Sequence, residues 1–335
     1  MSFSSFPLYL GEVSSPTIRG GLVSLALTGV NFGTVIGNLM GAYISMELFS
    51  YISLVPNVAF VLLFLWIPQS PHYLVRLGRM KDAEVSIARY NPYVDSKIEV
   101  ESLKSFITTS ATITLKDRLR ELTIPRNLKA GMIVITLYFL AQFSGMNSVI
   151  FYMEIIFTAS KLTVVAPATG VIIVGVVGVV AGWMSVYIAD KFRRKVLMIT
   201  SSAGVGVSMI ALGAHFALLG FGFDANSLQW LPLTSIIIFE IFLCNGVIAI
   251  PNMILSELFA PNIKSLAACL ASIFLGLFSF LAAKSYQPVI NAVGEAYVFW
   301  IHALLMVICI IFSLVFMPET RGKSLKEIQD LLMQK

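Results

Sequence analysis

Hydrogen-bonding side chains interrupt an apolar stretch, residues 138–157, that is long enough to cross a bilayer. Its polar residues are Gln142, Ser144, Asn147, Tyr152 and Glu154. An unpaired amide in hydrocarbon costs kilocalories, so such groups face either a protein partner or a watery cavity. Amides beside an aromatic ring, with Gly145 letting a ligand approach the backbone, suit a polyhydroxylated molecule. The alternative is that amides and small residues join transmembrane helices, and this stretch alone does not choose between the two.

The spacing of the two amides bears on how they can act together. Gln142 and Asn147 are five residues apart, which places them about 140° apart around an ideal helix. They can flank one ligand if the helix is broken between them. Ser144 and Gly145 lie where unwinding is easiest, because glycine tolerates backbone conformations closed to other residues. We therefore expect both amides to bond hydroxyl groups of one polyhydroxylated ligand at a break, with Tyr152 closing the outer side.

The composition indicates a polytopic membrane protein of the all-α class. Of the 335 residues, 57% are hydrophobic and 12% are charged, about half the charged fraction of a soluble domain. No nucleophile–base pair or metal-ligand cluster stands out, and the three cysteines lie in apolar runs as small buried hydrophobes. We therefore expect no enzyme activity, metal or cofactor. Eight segments reach spanning length, at 22–44, 51–67, 130–158, 167–189, 196–219, 231–253, 265–287 and 297–317.

A long polar loop divides these spans into two plus six. We divide the chain into residues 1–67, a helical linker at 68–129, a six-helix block at 130–317 and a tail at 318–335. The linker sequences GRMKDAEVSIARY, KIEVESLKSF and KDRLREL have the spacing of short amphipathic helices. Six helices after a cytoplasmic loop indicate one half of a transporter.

The distribution of basic residues predicts the orientation. Of 23 Lys and Arg residues, only Lys161 and Lys284 lie outside if both termini are cytoplasmic. The net charge of +5 follows this topology, so the partner is the lipid bilayer and no nucleic acid is expected. The sequence assigns no oligomeric state.

Six motifs carry a family resemblance, in order and at the matching membrane depth. They are PLYLGEVSSPTIRG at 7–20, PQSPHYL at 68–74, QFSGMN at 142–147 with Tyr152, DKFRRK at 190–195, IPNMILSELFAP at 250–261 and PETRGKSLKEIQ at 318–329. Through them the chain resembles the sugar porter family of the major facilitator superfamily, and within it the insect facilitated trehalose and hexose transporters. The resemblance implies a partial major facilitator fold, because family members have twelve helices and this chain begins inside the fourth. Residues 1–67 would then hold the end of helix four and helices five and six of the N-terminal half.

The resemblance also implies a latch of charged residues at the cytoplasmic ends of the helices. Its members would be Glu12, Arg19, Asp190, Arg193, Arg194, Glu257, Glu319 and Arg321. Family latches hold the outward-facing state and break when the carrier faces inward. A solitary acid at the end of an apolar segment is expensive, so we expect Glu257 and Glu319 to pair with the turn at 190–195. The alternative is that these charges only anchor loops at headgroup depth.

The implied sugar site departs from the family pattern. It comprises Gln142, Gly145, Asn147, Tyr152 and Asn252. Family amides or rings are replaced at Leu27, Ala141, Phe151, Asn252 and Gly276. These losses predict weak affinity for sugars or a different substrate.

The resemblance implies facilitative transport of hexose or trehalose by alternating access at the plasma membrane. The alternative is a non-transporting pseudo-carrier or sensor, or a truncated gene product. Three ionisable residues within spans, Glu154, Glu240 and His302, could relay protons, although helix packing or an outer-interface position is favoured for each.

Overall fold

The computed structural model describes residues 32–90, 95–111 and 115–321, together with Tyr9, Val13, Gly29, Lys323, Glu327 and Ile328. Within these ranges the chain is almost entirely helical and contains no strand, which confirms the predicted all-α class. The chain forms two compact units, Met1–Asp117 and Arg118–Lys335. The boundary between the units falls inside the segment predicted as the linker.

The first unit holds one long apolar helix and a group of short helices. Residues 32–43 are helical, and they are followed by α1 (Met46–Phe64), α2 (Pro71–Arg76), α3 (Met80–Tyr90) and α4 (Ser96–Ala111). A further helix, α5 (Leu115–Leu122), contains the unit boundary. Helices α3, α4 and α5 lie at the three stretches that the sequence predicts to be helical in the linker. Helix α1 begins before the predicted span because Ser45 caps it, accepting a hydrogen bond from the Leu48 N–H at 3.4 Å.

The short helices share a small apolar core, and Tyr9 forms hydrogen bonds beside it. The core residues are Leu74, Val75, Ala83, Ile87 and Val100. The Tyr9 hydroxyl donates to the Pro68 carbonyl at 2.7 Å and lies 2.9 Å from the Tyr90 hydroxyl. Burial, and then the hydrogen bond with Tyr90, raise the pKa of Tyr9. The Tyr9 phenol therefore remains protonated, and so remains a donor to the Pro68 carbonyl, at physiological pH.

The second unit is a bundle of eight helices that form six spans. The helices are α6 (Pro125–Ala141), α7 (Asn147–Ala159), α8 (Pro167–Lys191), α9 (Arg194–Gly220), α10 (Trp230–Phe242), α11 (Ala249–Leu258), α12 (Pro261–Val293) and α13 (Glu295–Val315). A π-helical turn, Gln142–Met146, joins α6 to α7, and a second one, Leu243–Val247, joins α10 to α11. Each pair therefore forms one broken span, Pro125–Ala159 and Asn226–Leu258.

The span count agrees with the sequence as far as the described residues extend. Seven helices, counting each broken pair once, are long and apolar enough to cross a membrane. Six of them fall where the six-helix block is predicted, and the seventh is α1. The remaining predicted span, 22–44, lies partly outside the described residues.

Proline and glycine set several of the helix ends in this unit. Pro125, Pro167 and Pro261 each begin a helix, where the missing N–H costs nothing. Gly294, with φ of 89°, ends α12 and precedes α13.

Helix α9 lies at the centre of the second unit, against α13 and α10. The largest fully buried side chains include Phe157, Phe239, Phe299, Leu137 and Met209. Cys309 is buried and Cys244 is half-buried, but Cys269 is exposed, so the expectation of three buried thiols is wrong for Cys269. Its helix, α12, has few buried residues, and its surface carries this thiol outward among apolar neighbours.

Candidate functional site

The break in the span Pro125–Ala159 lies at the glycine between the two amides. Gly145 has φ of 97° and ψ of −3°, a left-handed conformation that other residues rarely adopt. A Cβ at this position would lie 3.2 Å from the Met209 sulfur and 3.5 Å from the His302 ring. The backbone conformation and the close packing therefore both favour glycine here.

The break turns the two amides toward each other. Nδ2 of Asn147 donates to Oε1 of Gln142 at 2.7 Å and to the Gln142 main-chain carbonyl at 3.2 Å. The Ser279 hydroxyl of α12 donates to Oδ1 of Asn147 at 3.1 Å. Both amides are buried. This polar cluster, Gln142, Asn147 and Ser279, joins α7 to α12 and concentrates amide donors and acceptors at the break.

Asn252 belongs to a different contact from the one the sequence suggests. Its Oδ1 accepts from the buried Tyr138 hydroxyl at 2.7 Å, and its Nδ2 donates to the Ile248 carbonyl at 3.0 Å. The side chain therefore joins α11 to α6 rather than joining the polar cluster. Tyr138 precedes Gln142 by four residues and so lies on the same helix face, a signal that could have identified it.

An aromatic pair joins the middle of α7 to α12. The ring centroids of Tyr152 and Tyr286 are 4.5 Å apart, with 34° between the ring planes. Tyr286 is buried and follows Ser279 by two helical turns along α12. Helix α12 therefore contacts α7 through both the polar cluster and this pair, and Tyr286 was not predicted from the sequence.

A cavity of about 180 Å³ lies between α6, α11 and α12. Its lining is apolar apart from Asn127, and includes Gly131, Ile135, Leu255 and Ala271. The amides at the break do not line it. In the arrangement observed, the amides make the helix-joining contacts that the sequence left as the alternative to a cavity.

The ionisable residues within the spans occupy three different settings. Glu240 Oε1 accepts from the Cys244 thiol at 3.5 Å and would lie 2.7 Å from a Cβ at Gly178, so α10 packs closely on α8 here. Glu154 is exposed on α7. His302 of α13 contacts both sides of the break, with Nδ1 2.8 Å from the Phe143 carbonyl and Nε2 3.2 Å from the Ser148 hydroxyl.

Charged residues lie together at the end of the bundle where α8 ends and α9 begins. We call this end, with Lys191, Arg194, Glu257 and Glu319, the charged end. Oε1 of Glu319 accepts from the Arg194 N–H at 3.1 Å, and its Oε2 accepts from the Lys195 N–H at 3.4 Å. Helix α9 has no side-chain cap of its own. Glu319 therefore supplies negative charge to the N-terminus of this helix from a distant part of the chain.

An ion pair completes the charged end. Nη2 of Arg194 lies 3.1 Å from Oε1 of Glu257, and both side chains are largely buried. The Thr320 hydroxyl donates to Oε2 of Glu257, and Nη1 of Arg321 donates to the Lys191 carbonyl. The expected contacts of Glu257 and Glu319 with the turn are therefore present. Those of Glu319 go to the backbone of α9.

The remaining predicted latch residues are Glu12, Arg19, Asp190 and Arg193. Arg193 is exposed and precedes α9. Glu12 and Arg19 lie outside the described residues, as does the side chain of Asp190. Leu27, a replaced position of the implied sugar site, also lies outside them.

These features define a class of protein. Spans broken at buried polar residues, with charged clusters at their ends, are the architecture of multi-pass secondary transporters. The family model described as "Sugar (and other) transporter" matches residues 2–332. The chain belongs to this sugar transporter family.

Individual relatives and structures agree with the family. The facilitated trehalose transporter Tret1 of Polypedilum vanderplanki is 31% identical over 333 residues, covering 98% of this chain and 65% of the relative. That of Bombyx mori is 32% identical over 326 residues, covering 97% and 64%. The inward open xylose transporter XylE from E. coli has a TM-score of 0.77 at 21% identity, covering 97% of this chain and 68% of that one. The fold is thus a partial major facilitator fold, and the chain spans about 65% of the length of the first of these relatives.

Proposed function

We propose that this chain is the greater part of a facilitative sugar carrier that moves hexose or trehalose by alternating access. Family membership and the trehalose transporters among its relatives support this class of substrate. The observation that carries the proposal is the break at Gly145, which brings the Gln142 and Asn147 amides together. Such a cluster offers several donors and acceptors within reach of one polyhydroxylated ligand.

Binding would proceed by exchange of hydrogen bonds. A sugar hydroxyl can both donate and accept, so it can replace the Asn147–Gln142 contact while each amide keeps a partner. Tyr152 and Tyr286 lie on the outer side of this point and would close over the ligand. Asn252 is bonded to Tyr138 and Ala141 offers no amide, so fewer groups remain to hold the sugar. We therefore expect weak affinity.

Uptake assays test the proposal. We expect saturable, low-affinity uptake of labelled glucose or trehalose in oocytes expressing this chain preceded by the N-terminal part of the Bombyx mori relative. Gln142→Ala and Asn147→Ala should each lower kcat/KM about 10- to 100-fold, because a lost partner leaves a buried polar group worth about 1–3 kcal/mol unpaired.

A matched glutamine provides the control for these variants. Gln229 is also buried, but it bonds the Thr163 N–H and the Lys161 carbonyl near the ends of spans. Gln229→Ala should leave kcat/KM for sugar unchanged. Uptake indifferent to both site variants would assign the amides to helix joining, and a correctly inserted protein without uptake would favour the pseudo-carrier or sensor.

We also propose that the protein lies in the plasma membrane with both termini in the cytoplasm. The confinement of all but two basic residues to one side supports this orientation. A cysteine introduced between 95 and 105, in a variant lacking the native cysteines, should react with an impermeant maleimide only after permeabilisation. Labelling of intact cells at that cysteine would overturn the orientation.

A further inference from the structure

The Phe143 carbonyl lies just before Gly145, where the helix departs from regular geometry. In a regular helix the Phe143 carbonyl would accept from the N–H four residues later, but here the backbone turns through a left-handed glycine. Nδ1 of His302 lies 2.8 Å from this carbonyl oxygen. Inside a bilayer no water is at hand to replace such a partner. A side chain from the last helix of the bundle therefore satisfies the backbone at the break.

The same imidazole also reaches the far side of the break. Nε2 of His302 lies 3.2 Å from the hydroxyl of Ser148, at the start of α7. Between the two contacts the ring lies against Gly145, where a Cβ would be 3.5 Å from two of the ring carbons. One side chain thus touches the last turn before the break, the glycine itself and the first turn after it.

The contact with Phe143 specifies the tautomer of the neutral ring. A main-chain carbonyl only accepts, so Nδ1 carries the hydrogen that is donated to Phe143. In the neutral ring Nε2 is then an acceptor, and it takes the hydroxyl hydrogen of Ser148. The neutral imidazole therefore satisfies both sides of the break at once, and both ring nitrogens have partners.

We propose that His302 is a positioning residue that holds the break in the shape at which Gln142 and Asn147 meet. The proposal rests on the function proposed above, since it assigns His302 to the sugar site without direct contact with sugar. His302 bonds the residue directly after Gln142 and the residue directly after Asn147. Its removal frees these two residues to move independently, and the amide pair loses its fixed geometry.

A second buried histidine in the same bundle offers a matched control. Nε2 of His215, on α9, lies 3.0 Å from the Ser160 carbonyl. That carbonyl lies just beyond the end of α7, more than three helical turns from the break. Replacing either histidine removes a buried partner of a carbonyl in the same part of the chain, but only His302 acts at the break.

Hydrogen exchange on the 335-residue chain in lipid nanodiscs tests the placement of this contact without any transport. We expect His302→Leu to speed amide exchange at 143–149 at least tenfold. His302→Gln, whose amide also offers one donor and one acceptor, should restore most of the protection. His215→Leu should speed exchange at 157–162 and leave 143–149 unchanged. An amide exchange rate at 143–149 in His302→Leu equal to that of the unsubstituted chain would overturn the proposal.

Ser148→Ala gives a milder variant if His302→Leu does not insert. It removes only the Nε2 contact and should speed exchange at 147–149 severalfold, whereas unchanged exchange there would overturn the role of His302.

Transport kinetics test the link to the sugar. These assays use the chain preceded by the N-terminal part of the Bombyx mori relative, which we call the extended chain. In it, His302→Leu should raise KM for sugar at least fivefold with a smaller change in kcat, and His302→Gln should recover KM. His215→Leu should reduce protein abundance without moving KM. An unchanged KM in His302→Leu, with exchange at 143–149 accelerated, would overturn the positioning role while leaving the sugar carrier in place. Absence of uptake in the unsubstituted extended chain would instead overturn the proposed function.

Discussion

Gly145→Ala is expected to destabilise the protein by about 1–3 kcal/mol and to abolish sugar uptake. The conformation at this position, φ of 97°, is costly for any residue with a Cβ. The added methyl group would also press on the Met209 sulfur and the His302 ring. Relief of this strain requires the break to change shape, which separates Gln142 from Asn147. Thermal unfolding of the 335-residue chain in detergent measures the first effect, and uptake by the extended chain measures the second.

Gly131→Ala serves as the control for this substitution. Gly131 lies within α6 of the same span, and no atom lies within 4 Å of where its Cβ would be. Alanine is the better helix former by about 1 kcal/mol, so this variant should be as stable as the parent or more so. Equal losses of stability and uptake in the two variants would show that any glycine substitution in this span is harmful. That result would contradict a special role for the break.

Glu257→Gln should loosen the charged end. The Arg194–Glu257 pair is largely buried, so its loss should cost about 1–3 kcal/mol, between the values for exposed and fully buried pairs. We propose that the charged end is the latch of the carrier, because Glu319 ties the start of α9 to the segment after α13 and the Arg194 side chain ties it to α11. Labelling of Ser256→Cys by an impermeant maleimide from the cytoplasmic side should become faster in the Glu257→Gln background.

An exposed ion pair offers the comparison for this prediction. Nε of Arg79 lies 2.7 Å from Oδ2 of Asp82, and both side chains are about half exposed. Asp82→Asn should cost at most about 1 kcal/mol and leave the labelling rate of Ser256→Cys unchanged. If Glu257→Gln also leaves that rate unchanged, the charged end is only a loop anchor.

The first break could be inferred from the sequence, but the second was missed. Gln142 and Asn147 are too polar for an uninterrupted span, and Gly145 between them indicated where the helix would open. The segment Leu243–Val247 also contains an amide and a glycine, Asn245 and Gly246. Asn245 is the only amide among residues 230–251, so the sequence offers no pair of amides to mark this break. The need for glycine in this turn is tertiary, because a Cβ at Gly246 would lie 2.1 Å from the Ser201 hydroxyl oxygen of α9.

The partners of the predicted site residues were harder to infer. Ser279, Tyr286 and His302 come from α12 and α13, more than a hundred residues along the chain from the residues they contact. Apolar periodicity does not specify which faces of two spans meet, so these contacts are invisible in one sequence. The charged end shows a related limit. The sequence displays the charge of Glu319 but not the backbone N–H groups of α9 that receive it.

The length of α12 has a consequence for how the protein meets its lipids. A helix of 33 residues is about 50 Å long, whereas the hydrocarbon layer is about 30 Å thick. The polar residues Lys284, Gln287 and Asn291 occupy the last part of α12, so we expect this part to reach the headgroup layer. Tyr286 lies in this part of α12, so we expect its contact with Tyr152 at the depth where tyrosine rings are favoured. Hydrophobic mismatch in a thicker bilayer would draw this contact into the acyl chains, so membrane thickness becomes one of the variables that act on the contact between α7 and α12.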